Sequence, residues 1–327
     1  MEAKKKTPAD TKAPDNAHLD IPGNPSTATS SMIKLNDRSN GRPLRVLSEE
    51  DWSFWKHNGY VVIKQAVPKK QAEATAAFLW DFEEKNPHNP ETWYTAPRAE
   101  IQMKELEGTG MVEVYNHQQL WNNRQTQKVY DAFVDIWGTE KLWVTIDRAN
   151  LNFPMRPGHE YKGFIHWDYD PETKPQNVQG VLALADQMDE SMGGFQCIPW
   201  LFRNYDSWKL SQPEDRDRFQ PDITGLEDKI LKVCLEAGDL LIFNSCQPHG
   251  IRPNLSKEKV RIAQYISMMP AEEDNEALQQ WRISSWKDRI APEGYAFPGD
   301  PRNWEQTKYE TAQLTELGER LVGLRKW

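Results

Sequence analysis

The run GFIHWDYD, residues 163–170, holds the residue types best suited to chemistry in this chain. In a strand, alternate side chains share a face. His166 and Asp168 therefore point the same way with backbones roughly 7 Å apart, while Trp167 points to the other face. An imidazole and a carboxylate so placed converge on one cation. Asp170 shares that face but stands roughly 13 Å from His166 and is the poorer ligand. Alone, an HxD pair is common by chance, and a histidine satisfied within a strand is the competing reading.

A second element is EAGDLLIFNSCQPHGIRPNLS. Gly238-Asp239 marks a tight turn into the apolar strand LLIF, which ends at His249 in a Pro/Gly setting. A third metal ligand is one reason for a polar residue there; a histidine bonded to a loop carbonyl is the other. Two histidines and one carboxylate make the facial triad of non-haem iron oxygenases, which leaves positions open for a cosubstrate and O₂. A third element is Arg261, twelve residues on, opening the strand RIAQYISMM. An arginine in an otherwise apolar strand is costly unless paired. A dicarboxylate cosubstrate would pair it through a bidentate fork, and so would a protein carboxylate. Each motif is ambiguous singly; in this order the three are specific.

The elements that must position these residues follow from periodicity and punctuation. Ser48 caps a short helix ending at Gly59. YVVIKQAV follows as a strand, then a helix over 69–85 opened by Pro68. A helix is expected over about 124–137 and a strand over 141–153. Short strands alternate with turns to about residue 270, the spacing of an all-β sandwich or barrel. A polar insertion, 203–228, interrupts them. Residues 1–44 lack a periodic apolar pattern and read as a disordered arm. Residues 45–270 are expected to form the main domain, with 271–327 as a helical extension on it.

Hydrophobic residues make up 38% of the 327 residues, enough for a core. The net charge of -9 argues against nucleic-acid binding, which needs a basic footprint. Three cysteines at wide spacing form neither a disulfide framework nor a structural zinc site. With no secretory leader and no run of about 18 apolar residues, the expected setting is the cytoplasm, off the membrane. The oligomeric state is not legible.

The sequence resembles the phytanoyl-CoA dioxygenase-like family of Fe(II)/2-oxoglutarate oxygenases. NGYVVI resembles the family's opening and RPGHEYKGFIHWD its first metal motif. LALADQMDESMGGFQCIP resembles its central strand pair, and AGDLLIFNSCQPHGIRPNLS with Arg261 its second metal motif. The resemblance covers about residues 47–270. It implies a mainly β fold, a double-stranded β-helix (a jelly roll, cupin-like) with flanking N- and C-terminal helices. It also assigns Fe(II) to His166, Asp168 and His249, and the distal carboxylate of 2-oxoglutarate to Arg261. Two departures stand out. Relatives carry a Gly-Ser-His run where Trp200, Leu201 and Phe202 follow Pro199 here, and a small hydroxyl residue where Ile251 stands. Asn150 and Asn152, on one face of the preceding strand, are candidates to assist Arg261; a structural role is the alternative.

The implied activity is oxidation of a small organic substrate, by hydroxylation, desaturation or a similar step, with release of succinate and CO₂. Related halogenases lack the carboxylate that Asp168 provides. The alternatives are a cupin-type metal enzyme that does not use 2-oxoglutarate, and a non-catalytic binding or sensor barrel. Two aromatic and charged segments, 92–125 and 200–228, are expected to lid the site, with Trp121, Arg124 and Tyr115 touching substrate; the alternative is that Trp121 packs in the core and Arg124 caps the next helix.

Overall fold

The computed structural model describes residues 33–327 other than 96–100, 102, 158–159, 161 and 293–296. Helix α1 (Glu49–Asn58) begins at Ser48, whose side chain and that of Asp51 form a reciprocal capping box, and ends at Gly59 with φ 72°. Only glycine takes that left-handed conformation without strain. The chain then enters β1 (Tyr60–Ile63) and α2 (Lys69–Phe82), which buries Ala72, Ala76, Leu79 and Phe82. These spacings turn one apolar stripe inward.

The helix expected over about 124–137 forms as α5 (Gln127–Trp137), after the elements α3 (Lys104–Thr109), β2 (Met111–Val112) and α4 (Gln118–Arg124), the last of which is not among the expected elements. The single strand expected over 141–153 is likewise two, β3 (Leu142–Val144) and β4 (Ala149–Asn152), which join different sheets. Next come β5 (Val178–Ala183), β6 (Met192–Cys197), α6 (Pro199–Trp208), β7 (Leu231–Lys232), β8 (Leu240–Asn244), β9 (His249–Asn254), β10 (Arg261–Tyr265) and β11 (Met268–Pro270). Three helices close the described chain: α7 (Glu276–Asp288), α8 (Trp304–Lys308) and α9 (Glu316–Val322).

All strand pairings are antiparallel. A six-stranded sheet runs β1-β8-β5-β10-β4-β2, a three-stranded sheet runs β7-β6-β9, and β11 pairs with β3. Alternate residues of the two larger sheets meet in one buried cluster: Val181 and Ala183, Phe195 and Cys197, Leu241 and Phe243, and Ala263. The opposite face of the six-stranded sheet, through Leu182, Leu240, Ile242 and Ile262, packs under α2 and α5. The sheets are antiparallel, and the helix share exceeds what a mainly β fold leads one to expect, with 18% of the described residues in strands and 33% in helices.

Part of the disordered arm expected over residues 1–44 is seated on the domain. Residues 1–32 lie outside the described residues, but Asn36 donates its main-chain N–H to Ile136 and its amide to the Asp135 carbonyl. The Asp135 carboxylate then accepts the N–H groups of Arg45, Val46 and Leu47. This seating on α5 uses hydrogen bonds, which hydropathy does not register. No helix of the described residues is long and apolar enough to cross a membrane.

Candidate metal centre

The GFIHWDYD segment is not a ladder strand. It touches β9 through one isolated antiparallel bridge, His166 to His249, with main-chain bonds of 2.8 and 3.0 Å. That approach requires Gly250: a Cβ there would stand 1.8 Å from the Phe164 carbonyl oxygen. The extended backbone still alternates, so His166 and Asp168 face inward and Trp167 outward. His249 does not end a strand but opens β9, after the turn that follows β8.

These residues converge. One ligand atom from each of His166, Asp168 and His249 lies within 4.8 Å of the others. His166 Nε2 is 3.0 Å from Asp168 Oδ1, and His249 Nε2 is 3.4 Å from Asp168 Oδ2. The rings are oriented by main chain. His166 Nδ1 lies 3.0 Å from the His249 carbonyl oxygen and His249 Nδ1 3.0 Å from that of Gln247. A carbonyl only accepts, so Nδ1 carries the proton in both and Nε2 points at the carboxylate. Burial works against charge on His166, but Asp168 outweighs it and raises the imidazole above its usual pKa. Burial likewise opposes ionisation of Asp168, yet His166 and His249 hold it well below the carboxylate range. Gln179 of β5 donates its amide to Asp168 Oδ2. Phe164 lies 4.6 Å from the His166 ring, and Phe243 lies 4.3 Å from that of His249.

Arg261, which opens β10, is 1% exposed. Its Nη1 donates to Asn150 Oδ1 at 3.2 Å and to the Tyr265 hydroxyl at 3.4 Å. Its Nε and Nη2 have no partner, and among the described residues no carboxylate pairs with it. The other buried arginines make more bonds, Arg148 to Glu113 and Arg124, Arg252 and Arg282 to two or more main-chain carbonyls each, and leave one nitrogen without a partner where Arg261 leaves two. Arg261, Asn150, Asn152 and Tyr265 line a cleft of about 640 Å³ whose wall includes Trp93, Tyr94 and Phe153. Phe164 and Ile251 line the same cleft and connect it to the histidines. Asn150 thus touches Arg261. Asn152, paired with Arg261 in register, leaves its Oδ1 unbonded and makes no side-chain bond to it.

Three expected contacts are corrected. Trp121, Arg124 and Tyr115 do not line the cleft; each is at most 1% exposed. Arg124 donates to the carbonyls of Tyr115 and Asp147 at 2.5 and 2.6 Å and lies over the Trp121 ring. Trp121 donates Nε1 to Asn116, and the Tyr115 hydroxyl donates to Glu113. Arg124 Nε alone among their polar atoms lacks a partner, and it is buried away from the cleft, so none of the three reaches substrate there. Segment 200–228 supplies no lining residue either. Asp170 caps the turn at Pro171–Thr173 and pairs with Arg218, away from the cluster. Two residues went unread. Tyr265 shares the face of Arg261 at even spacing in RIAQY, and Gln179 is the polar residue inside the apolar strand VQGVLA.

Fold and site together define an antiparallel β-sheet protein with a His-Asp-His cluster and, in a cleft that Phe164 joins to it, a buried arginine with no carboxylate partner among the described residues. Residues 55–263, more than half of the chain, match the family described as phytanoyl-CoA dioxygenase (PhyH). The chain belongs to that family. It is also similar to the Ava biosynthesis cluster protein O of Aspergillus versicolor, 26% identical over 67% of this chain and 77% of that protein. Among solved structures, GlcNAc Inducible Gene 2 from Candida albicans superposes with a TM-score of 0.62 at 13% identity, over 86% of this chain and 77% of the other. The hypothetical protein JW0805 from Escherichia coli reaches 0.57 at 17% identity, over 88% and 86%. At these identities the likeness shows the fold alone.

Proposed function

We propose that the protein is an Fe(II)- and 2-oxoglutarate-dependent oxygenase that oxidises an organic substrate, by hydroxylation, desaturation or a similar step, with release of succinate and CO₂. One observation carries this reading: a buried arginine with two unpaired nitrogens lines the cleft that borders a His-Asp-His cluster. An uncompensated buried charge costs on the order of several kcal/mol. A dicarboxylate that meets the cluster at one end and Arg261 at the other supplies the missing partner.

The donor set fits the ion, since two imidazoles and a carboxylate on one face are the ligands of non-haem Fe(II) sites. His166, Asp168 and His249 would hold it. Bound there with 2-oxoglutarate and O₂, iron supplies the oxidant that removes hydrogen from the substrate. The protein's own residues do the rest. The carbonyls of His249 and Gln247 keep both Nε2 atoms turned toward the ion, and Gln179 holds one Asp168 oxygen. Arg261, with Asn150 and Tyr265 beside it, orients the distal carboxylate. Phe164, Phe195 and Phe243 flank the imidazoles with ring surface, while His166 and Asp168 stay partly exposed and open to an incoming ligand.

The aromatic rings of the cleft wall turn their polar tips away. Trp93 donates Nε1 to the Asn86 carbonyl and Tyr94 donates its hydroxyl to that of Pro154. Ring faces and the side chain of Met155 line the cleft beside Lys85, Glu107, Arg156 and Glu160, which suits a substrate with both an apolar and a polar part. We read the two larger sheets as the double-stranded β-helix of this enzyme class, with residues 271–327 packed on the same domain.

The test is spectroscopic. Under anaerobic conditions the protein takes up one Fe(II), and 2-oxoglutarate then produces a weak visible charge-transfer band. Absence of that band at saturating 2-oxoglutarate overturns the reading.

A further inference from the structure

The segment bearing two of the three cluster residues has a bridge on one side only, and its other side is held by residues 205–219. Trp167, between His166 and Asp168, donates its main-chain N–H to the Phe219 carbonyl at 2.7 Å. Its ring is 2% exposed and meets Tyr205 edge-on at 5.5 Å and Trp208 at 6.1 Å. Its indole N–H donates to the Cys246 carbonyl at 3.0 Å. Ile165 and Trp167 form a buried cluster with Ile198, Leu201 and Trp208 that is separate from the cores described above. Just beyond Asp168, Arg218 pairs with Asp170 at 2.9 Å, and Arg216 bridges Glu172 at 2.6 Å and the Tyr205 hydroxyl at 2.9 Å.

We propose that the segment from α6 to Phe219 is a brace for the metal-ligand loop. Trp208, Arg216 and Arg218 act as positioning residues that fix the spacing of His166 and Asp168 and thereby set metal affinity. The physical case is one of preorganisation. A loop held by a single bridge samples arrangements in which two ligands diverge, and each such arrangement lowers the apparent affinity. The residue between the ligands is clamped at its N–H, its ring and its indole nitrogen, so rotation of that peptide is closed off. The ion pairs contribute less, because Arg218 is 52% exposed at its side chain and its pair is screened by salt. The order of effect is therefore aromatic packing first, ion pairs second.

This inference rests on the reading of His166, Asp168 and His249 as iron ligands, and the experiment separates the two. Fe(II) dissociation constants are measured anaerobically by chelator competition for the wild type, Trp208→Ala, Trp208→Phe, the double variant Arg216→Ala/Arg218→Ala, and Arg203→Ala on the same helix. Trp208→Ala should weaken Fe(II) about 10- to 100-fold, the range usual for residues that orient ligands, and Trp208→Phe should recover most of the loss. The double arginine variant should lose several-fold, an effect that 1 M NaCl reproduces in the wild type, with a melting temperature within a few degrees of wild type. Arg203→Ala should bind as wild type does. Without metal, deuterium uptake over residues 163–170 should quicken in the double variant. If the wild type binds no Fe(II), the ligand assignment fails. If it binds and the double variant matches it in affinity and exchange, the brace fails, even should Trp208→Ala prove unable to fold.

Discussion

The Nδ1 of His166 sits 3.0 Å from the main-chain oxygen of His249, so the backbone of one histidine orients the ring of the other. The contact ties the loop that carries His166 and Asp168 to strand β9. Neither histidine can be repositioned without moving the other, and both present Nε2 to the same carboxylate. Replacing either with alanine should therefore remove stoichiometric Fe(II) binding, as should Asp168→Ala. Asp170→Ala should retain one Fe(II) per chain with affinity lowered only several-fold, because Asp170 faces Arg218. Titration by chelator competition checks this. Loss of binding in Asp170→Ala with retention in Asp168→Ala would reverse the assignment.

Gln179 reaches Asp168 from β5 and touches neither the cleft wall nor Arg261. Gln179→Leu should weaken metal about 10- to 100-fold through a freed carboxylate. The affinity of the iron-loaded form for 2-oxoglutarate should stay near wild type. Equal loss of both would show that the strand itself is disturbed.

Arg261 leaves Nε and Nη2 without a partner among the described residues. Arg261→Met should weaken 2-oxoglutarate by about 2 to 4 kcal/mol, the value of a charge-assisted fork to a buried carboxylate. Fe(II) binding should survive. Because the substitution removes an uncompensated buried charge, the melting temperature of the ligand-free protein should rise. Calorimetry with and without 2-oxoglutarate reads both signs. A drop in the ligand-free protein would mean that the bonds to Asn150 and Tyr265 outweigh the desolvation cost.

Burial lifts the Glu83 carboxyl to about 8 despite the nearby Arg302, and neither of its oxygens has a hydrogen-bond partner. Unfolded, the same group titrates near 4.5. The folded state thus binds the proton more tightly. This stabilisation is complete below pH 4.5 and is lost as pH rises toward 8, with a slope of at most about 1.4 kcal/mol per pH unit. Glu83→Gln should flatten the fall in melting temperature between pH 5 and 8 and leave the variant more stable than wild type at pH 8. Parallel curves for the two proteins would rule out Glu83 as the source.

Much of the candidate site is local chemistry, and local chemistry is legible in a sequence. Even spacing puts His166 and Asp168 on one side whether or not their segment joins a ladder, because alternation follows from an extended backbone alone. Arg261 shows itself as a charge in an apolar strand, and the Ser48 cap and Gly59 stop mark α1 through their own backbone demands. The same alternation places Tyr265 beside Arg261, a signal present in RIAQY. What the sequence could not decide is where each polar group finds its partner. Arg124 and Arg261 are both buried arginines among aromatic residues, yet the first is used on two main-chain carbonyls and the second is left open to a cleft. Residues 35–47 look unstructured by hydropathy but dock through the Asp135 carboxylate and the α5 backbone. Segment 200–228 reads as a lid because loops over a barrel mouth are polar and aromatic. It lies instead behind Trp167, since the bond from Trp167 to Phe219 joins main-chain groups that carry no residue-specific signal. Partners separated by 50 residues or more are chosen by the packing of sheets and helices, and only the tertiary structure makes that choice.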